Sequence, residues 1–66
     1  MNTVKYHMEN LEFECMNLID ATRAGRYDLR KRWYEDTCKT LEELRPIASE
    51  EVMELALAMR GLACRA

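Results

Sequence analysis

Residues 52–59 read Val-Met-Glu-Leu-Ala-Leu-Ala-Met, and this segment limits the fold more than any other. With helical spacing its apolar side chains lie on almost every side, interrupted only by Glu54 and, just after the segment, Arg60. A helix that is apolar all round must be covered all round. The chain has 66 residues, and a chain this short buries only about 60% of its unfolded surface. The segment therefore predicts self-association or docking on a partner.

Two further helices are predicted before this segment. Residues 3–24 carry apolar side chains at spacings of four and three, and Gly25 follows where a left-handed helix cap is favoured. Residues 27–45 carry a second apolar stripe with opposite charges four residues apart, and Pro46 ends this helix. The first stripe comprises Val4, Met8, Leu11, Cys15 and Leu18, and the second comprises Leu29, Trp33, Thr37, Leu41 and Leu44.

The third helix is predicted over residues 49–60. Ser49 is a favourable N-cap, two glutamates follow in the first turn, and Gly61 marks the expected end. No stretch alternates apolar and polar residues as a half-buried strand would. We therefore expect one all-α domain over residues 1–66: a small three-helix bundle, or a helical hairpin plus a third helix, completed by dimerisation.

Composition narrows the classes of function. Ten basic and twelve acidic residues give a net charge of −2, whereas nucleic-acid modules usually carry a positive excess. Cys15, Cys38 and Cys64 form no Cys-x-x-Cys motif, which excludes a zinc ribbon or a thioredoxin motif. The N-terminus lacks the pattern of a signal peptide, and no run approaches the roughly 20 apolar residues of a membrane span. We expect a cytoplasmic protein with free thiols, no membrane contact and no cofactor.

No group of residues has the spacing of a catalytic or metal site. His7 is the single histidine, and we expect it to be solvated in the first turns of its helix. Two of the three cysteines fall on apolar stripes, where a thiol usually behaves as a small apolar group. No glycine-rich loop is present to form an oxyanion hole. The sequence therefore predicts no enzyme, no catalytic residue and no metal.

Apolar residues on two helices are the first candidates for protein contacts. Tyr6 and Phe13 lie seven residues apart on a second face of the first helix, away from its apolar stripe. Large exposed apolar patches mark interfaces, so we expect a partner or a second copy to cover these residues and the third helix. The full set is Val52, Met53, Leu55, Leu57, Met59, Leu62, Tyr6 and Phe13.

Basic and aromatic residues between positions 23 and 34 are the second candidates. The set is Arg23, Arg26, Arg30, Lys31, Arg32, Trp33 and Tyr34. Cations near the start of a helix oppose its dipole, so local helix stability does not explain Arg30, Lys31 and Arg32. Three interpretations stay open: a cluster that caps the first helix and pairs with Glu35 and Asp36, a contact for an acidic protein, and a nucleic-acid site.

Three segments in the C-terminal half carry a family pattern. They are Tyr34-Glu-Asp-Thr-Cys-Lys-Thr-Leu-Glu-Glu-Leu, Glu51-Val-Met-Glu-Leu-Ala and Leu62-Ala-Cys-Arg. This order of helix, short turn, helix and apolar-Cys-basic end resembles the core of the FlhD flagellar transcription regulators over about half of the chain. The resemblance implies an all-helical dimer that binds a DNA-binding partner, FlhC, and matches Cys64 to the cysteine that joins two chains. The family's longer C-terminal region has no counterpart after Ala66, which suits a mimic that competes for a partner.

The sequence thus predicts a small cytoplasmic helical regulator that acts by protein–protein binding, as a homodimer. It would be a transcription-regulator adaptor or an inhibitor of a partner protein, of the kind that mobile elements encode. One alternative is a minimal nucleic-acid-binding protein that uses residues 23–34, which steep salt dependence of DNA binding would reveal. The other is a helical secretion chaperone or an antitoxin.

Overall fold

Three α-helices make up the structure, a computed structural model that describes residues 3–66. They are α1 (Thr3–Arg23), α2 (Tyr27–Leu44) and α3 (Glu50–Arg65). The predicted all-α class and the three-helix arrangement are confirmed, and no strand occurs in the described part of the chain. The bundle is elongated, with extents of 35 × 19 × 15 Å.

The helix boundaries follow local signals except at Gly61. Gly25 has a φ of 70°, as a left-handed cap requires, and the Ser49 hydroxyl accepts a hydrogen bond from the Val52 N–H at 3.2 Å. The predicted end of α3 at Gly61 is wrong, because the helix continues to Arg65. The turn after Gly61 buries Ala63, and this packing outweighs the low helix propensity of one glycine.

The two glycines should respond in opposite directions to replacement by alanine. Gly25→Ala places a side chain at positive φ and should destabilise the fold by about 1–2 kcal/mol. Gly61→Ala should stabilise it by about 1 kcal/mol, because the added Cβ would meet only Arg65 Nη2, at an ordinary 3.8 Å. Urea unfolding measures both changes. Destabilisation by both substitutions would contradict the continuous α3.

The core lies mainly between α1 and α2. Leu11 and Leu18 of α1 are fully buried with Thr37 and Leu44 of α2, so the apolar stripes predicted for both helices are largely confirmed. The buried hydroxyl of Thr37 donates to the Tyr34 carbonyl at 2.6 Å. Every such buried donor needs a partner, and this one finds it within its own helix.

α3 enters the core through its alanines and keeps its leucines outside. Ala56 and Ala63 are 0% and 3% exposed, whereas Leu55, Leu57 and Leu62 are 62%, 43% and 65% exposed. The small alanine side chains allow α3 to approach the other helices closely. The single chain therefore leaves the three leucines of α3 exposed.

Arg30 links all three helices at one end of the bundle. From α2, its Nε donates to the Thr22 hydroxyl of α1 at 3.0 Å, and its Nη2 donates to the Cys64 carbonyl of α3 at 3.2 Å. A carbonyl in the last turn of a helix lacks a partner within the helix, so the guanidinium satisfies it. The C-terminal ends of α1 and α3 consequently lie at the same end of the bundle, and these two helices are parallel.

Arg30→Ala should lower the free energy of unfolding by about 1–3 kcal/mol, because two hydrogen bonds from a charged donor are lost. Arg32→Ala is the matched control, since Arg32 is exposed on the same helix and should change stability by less than about 0.5 kcal/mol. Denaturant unfolding of both variants makes the comparison. Equal stabilities would show that Arg30 does not hold the helix ends together.

Candidate protein-binding groove

A groove of about 410 Å³ runs between α1 and α3. Its lining is apolar except for the Glu12 carboxylate at the rim and the Cys15 thiol. The lining residues are Glu12, Cys15, Met16, Ile19, Leu55, Ala58, Met59, Leu62 and Ala63. Met16, Leu55 and Leu62 are all more than half exposed, so the groove presents large apolar side chains to solvent.

Helical spacing places two rows of side chains along the groove. On α1, Met16 follows Glu12 by four residues and Ile19 follows Met16 by three, so these residues share one side of the helix. On α3, Leu55 and Leu62 lie seven residues apart and share the side next to the buried alanines. The groove is thus the open seam beside the α1–α3 contact.

Cys15, in the groove wall, is held in its neutral form. The pKa of its thiol is raised to about 11, mainly by burial and to a smaller extent by the charges of Cys64 and Glu14, against a lowering by Arg60. The thiolate is the nucleophilic and metal-binding form, so this thiol is unreactive at neutral pH. Cys38 accepts a hydrogen bond from Arg60 Nη1 at 3.2 Å, and all three cysteines, Cys64 included, are free thiols.

The structure brings together only part of the predicted apolar set. Leu55, Met59 and Leu62 line the groove, whereas Leu57 is exposed outside it. Val52 is half-buried, and Met53 packs partly against the chain's own core, as Met59 also does. Val52, Met53 and Met59 are therefore less available to a partner than the sequence predicts.

Tyr6 and Phe13 are exposed as predicted, but they lie outside the groove. The Tyr6 ring meets the His7 ring edge-on at 5.5 Å, and the Phe13 ring meets Trp33 edge-on at 5.8 Å. Sequence reasoning missed Met16 as a contact residue, because its importance depends on α3 lying beside α1. The available signal was the spacing of Met16 and Ile19, which lie three residues apart on one side of α1.

The predicted basic cluster does not form one surface, because successive helical residues point about 100° apart. Arg30 is half-buried and bonded internally, and Arg26 pairs with Asp28 at 3.5 Å. Trp33 packs against the core and Phe13, and the Arg60 guanidinium lies 5.4 Å from the centre of the Tyr34 ring. Exposed cationic residues of the cluster are Arg23, Arg26, Lys31 and Arg32.

His7 is not solvated, contrary to the sequence expectation. Its side chain is 15% exposed, and Nδ1 lies 3.4 Å from Glu43 Oε2 without forming a hydrogen bond. Nearby, Glu14 accepts a hydrogen bond from the Thr40 hydroxyl at 2.7 Å. Burial raises the pKa of Glu14, the Thr40 bond lowers it, and the carboxylates of Asp36 and Glu43 raise it again.

Over residues 3–66, no three His, Cys, Asp or Glu side chains are grouped so that they could hold a metal ion.

Comparisons with family models, curated proteins and solved structures give no match to this chain. Among α1, α2 and α3, none combines the length and the hydrophobicity that a membrane crossing requires.

Ionisation of Cys15 should weaken the fold in alkaline solution. The folded pKa of about 11 exceeds the ordinary value of 9.0. The folded state therefore holds the proton more tightly, and this contribution to stability is complete below pH 9 and is lost as the pH rises through 11. Urea unfolding at several pH values over this range should show a smaller decline for Cys15→Ala than for the wild type. Parallel declines would contradict the burial of this thiol.

Proposed function

We propose that this chain is a small helical protein that acts by binding another protein chain through the α1–α3 groove, as an adaptor or an inhibitor. The observation that carries the proposal is the inverted arrangement of α3, which buries alanines and exposes leucines. Within the single chain, burial of Leu55 or Leu57 in place of Ala56 would remove more apolar surface from water. The exposed leucines instead provide apolar surface that a second chain can cover.

Leu55 and Leu62 supply the apolar surface from which binding would gain free energy. Covering one such side chain contributes roughly 1.5–3 kcal/mol, and both lie beside the exposed Met16 on one surface. Contiguous apolar surface of this kind marks interaction sites in soluble proteins. Binding of another chain would therefore be stabilised by covering apolar surface that stays exposed in the isolated chain.

The chemistry of the groove favours apolar side chains of a protein over a small polar ligand. Small-molecule sites combine apolar walls with several converging polar groups. Here the polar groups of the lining are one rim carboxylate, Glu12, and one protonated thiol, Cys15. A long apolar seam between two helices suits an amphipathic helix, which inserts side chains spaced by three and four residues.

The nature of the partner is a separate proposal. A DNA-binding transcription factor is the partner class that the FlhD resemblance would give, and a secretion component or a toxin would use the same surface. Direct nucleic-acid binding by residues 23–34 has weaker support, because Arg30, Trp33 and Tyr34 are engaged within the bundle. Arg23, Lys31 and Arg32 suit an acidic surface on a partner.

Leu55→Glu should abolish partner binding, because it places an unpaired charge in the groove. Leu57→Glu is the matched control, since Leu57 is an exposed leucine of the same helix that lies outside the groove. The immobilised intact chain would be exposed to host lysate, and captured proteins would be identified and quantified by mass spectrometry. A protein lost with Leu55→Glu and retained with Leu57→Glu is the expected result. Equal capture by both variants would reject the groove as the binding surface.

A further inference from the structure

We infer that the groove of one copy is covered by the same groove of a second copy, with the two chains antiparallel about a two-fold axis. This inference rests on the proposed function, because it requires that the groove binds protein, and it names the occupant. It depends on the distribution of charge along the groove, which differs sharply between the two ends.

Arg30 fixes how α1 and α3 are aligned along the groove. Because it contacts Thr22 and Cys64 together, these two residues lie at the same level of the bundle. Glu12 and Glu54 each lie ten residues before them, so these glutamates are also level with each other. Each helix therefore carries an exposed glutamate at this level: Glu12 lines the groove, and Glu54 directly precedes the lining residue Leu55.

The opposite end of the groove is basic on both helices. Arg23 follows Thr22 and Arg65 follows Cys64, so these exposed arginines are level with each other as well. Each belongs to the groove side, since Arg23 lies four residues after Ile19 and Arg65 lies three after Leu62. Asp20 also lies near this end, four residues after Met16, so one exposed carboxylate stands beside the two arginines.

This charge distribution is complementary to itself only when the copies run in opposite directions. With a two-fold axis across the middle of the groove, α1 faces α1 and α3 faces α3, which brings Glu12 to Arg23 and Glu54 to Arg65 of the second copy. A parallel pairing would place carboxylates against carboxylates and arginines against arginines. Like charges in an interface cost several kcal/mol, so the charges select the antiparallel pairing.

The apolar surface and the helix ends agree with this pairing. The middle of the groove, at Met16, Ile19 and Met59, would lie on the two-fold axis, so apolar side chains meet apolar side chains. The C-terminus of α3 would also lie about one turn from the α3 N-terminus of the other copy, where the dipoles attract.

Charge reversal at one end, and then at both ends, tests the inference. The first variant combines Glu12→Arg with Glu54→Arg, and the second combines Arg23→Glu with Arg65→Glu. Sedimentation of the wild type should show twice the 7.8 kDa chain mass, and each variant should weaken dimerisation by about tenfold or more. The variant with all four substitutions should regain the wild-type affinity, because complementary ends face each other again. Glu35→Arg, on the exposed side of α2, is the control and should leave the dimer unchanged.

Cysteine crosslinking gives a readout that does not depend on the stability of the charge variants. Glu12→Cys chains mixed with Arg23→Cys chains should form the mixed disulfide dimer far faster than either chain forms a dimer with itself. Preferential dimers of each chain with itself would overturn the antiparallel pairing.

Two outcomes separate this inference from the proposed function. A wild type that stays monomeric, or a four-substitution variant as weak as the single-end variants, overturns the self-pairing. If the monomeric chain still captures a host protein that Leu55→Glu loses, the groove binds a different chain and the proposed function stands. If Leu55→Glu changes neither the mass nor the capture, both are rejected.

Discussion

The groove depends on how α3 meets the rest of the bundle. Alanine contacts bring two helix backbones close together but remove little apolar area from water, so they contribute less than leucine contacts would. Rotation of α3 by one residue position would bring Leu55 or Leu57 towards the core in place of Ala56. The observed orientation gives up that burial and leaves the leucines on a surface with Met16 of α1.

Local signals in the sequence were sufficient for the helices, whereas the groove required their arrangement in space. Ser49 and Gly25 act within a few residues, through a cap hydrogen bond and a left-handed backbone, and both were predicted. The end of α3 was predicted wrongly at Gly61, because the continuation of the helix depends on the burial of Ala63, which the sequence does not reveal. Helix type and the outline of the core could therefore be predicted, and the end of α3 could not.

For the same reason, the candidate binding surface could be predicted only in part from the sequence. The excess of apolar residues in α3 was visible, but Met16 and Ile19 became groove residues only because α1 lies parallel to α3. Arg30, Lys31 and Arg32 look equivalent in a linear pattern, yet only Arg30 turns towards the ends of the neighbouring helices. Which member of a basic run is internal depends on the order of helices in the bundle, and no local pattern carries that information.

The separation of charge along the bundle also affects how the molecule moves towards other molecules. Carboxylates lie where α3 begins and arginines lie where α1 and α3 end, so charge is unevenly distributed along a chain whose net charge is only −2. A dipolar molecule rotates in the field of an approaching charged surface before contact and spends more of each encounter in one orientation. Counter-ions at about 0.15 M weaken this effect beyond roughly 8 Å. The charges at the two ends of the groove therefore influence the orientation of the molecule most strongly in dilute salt.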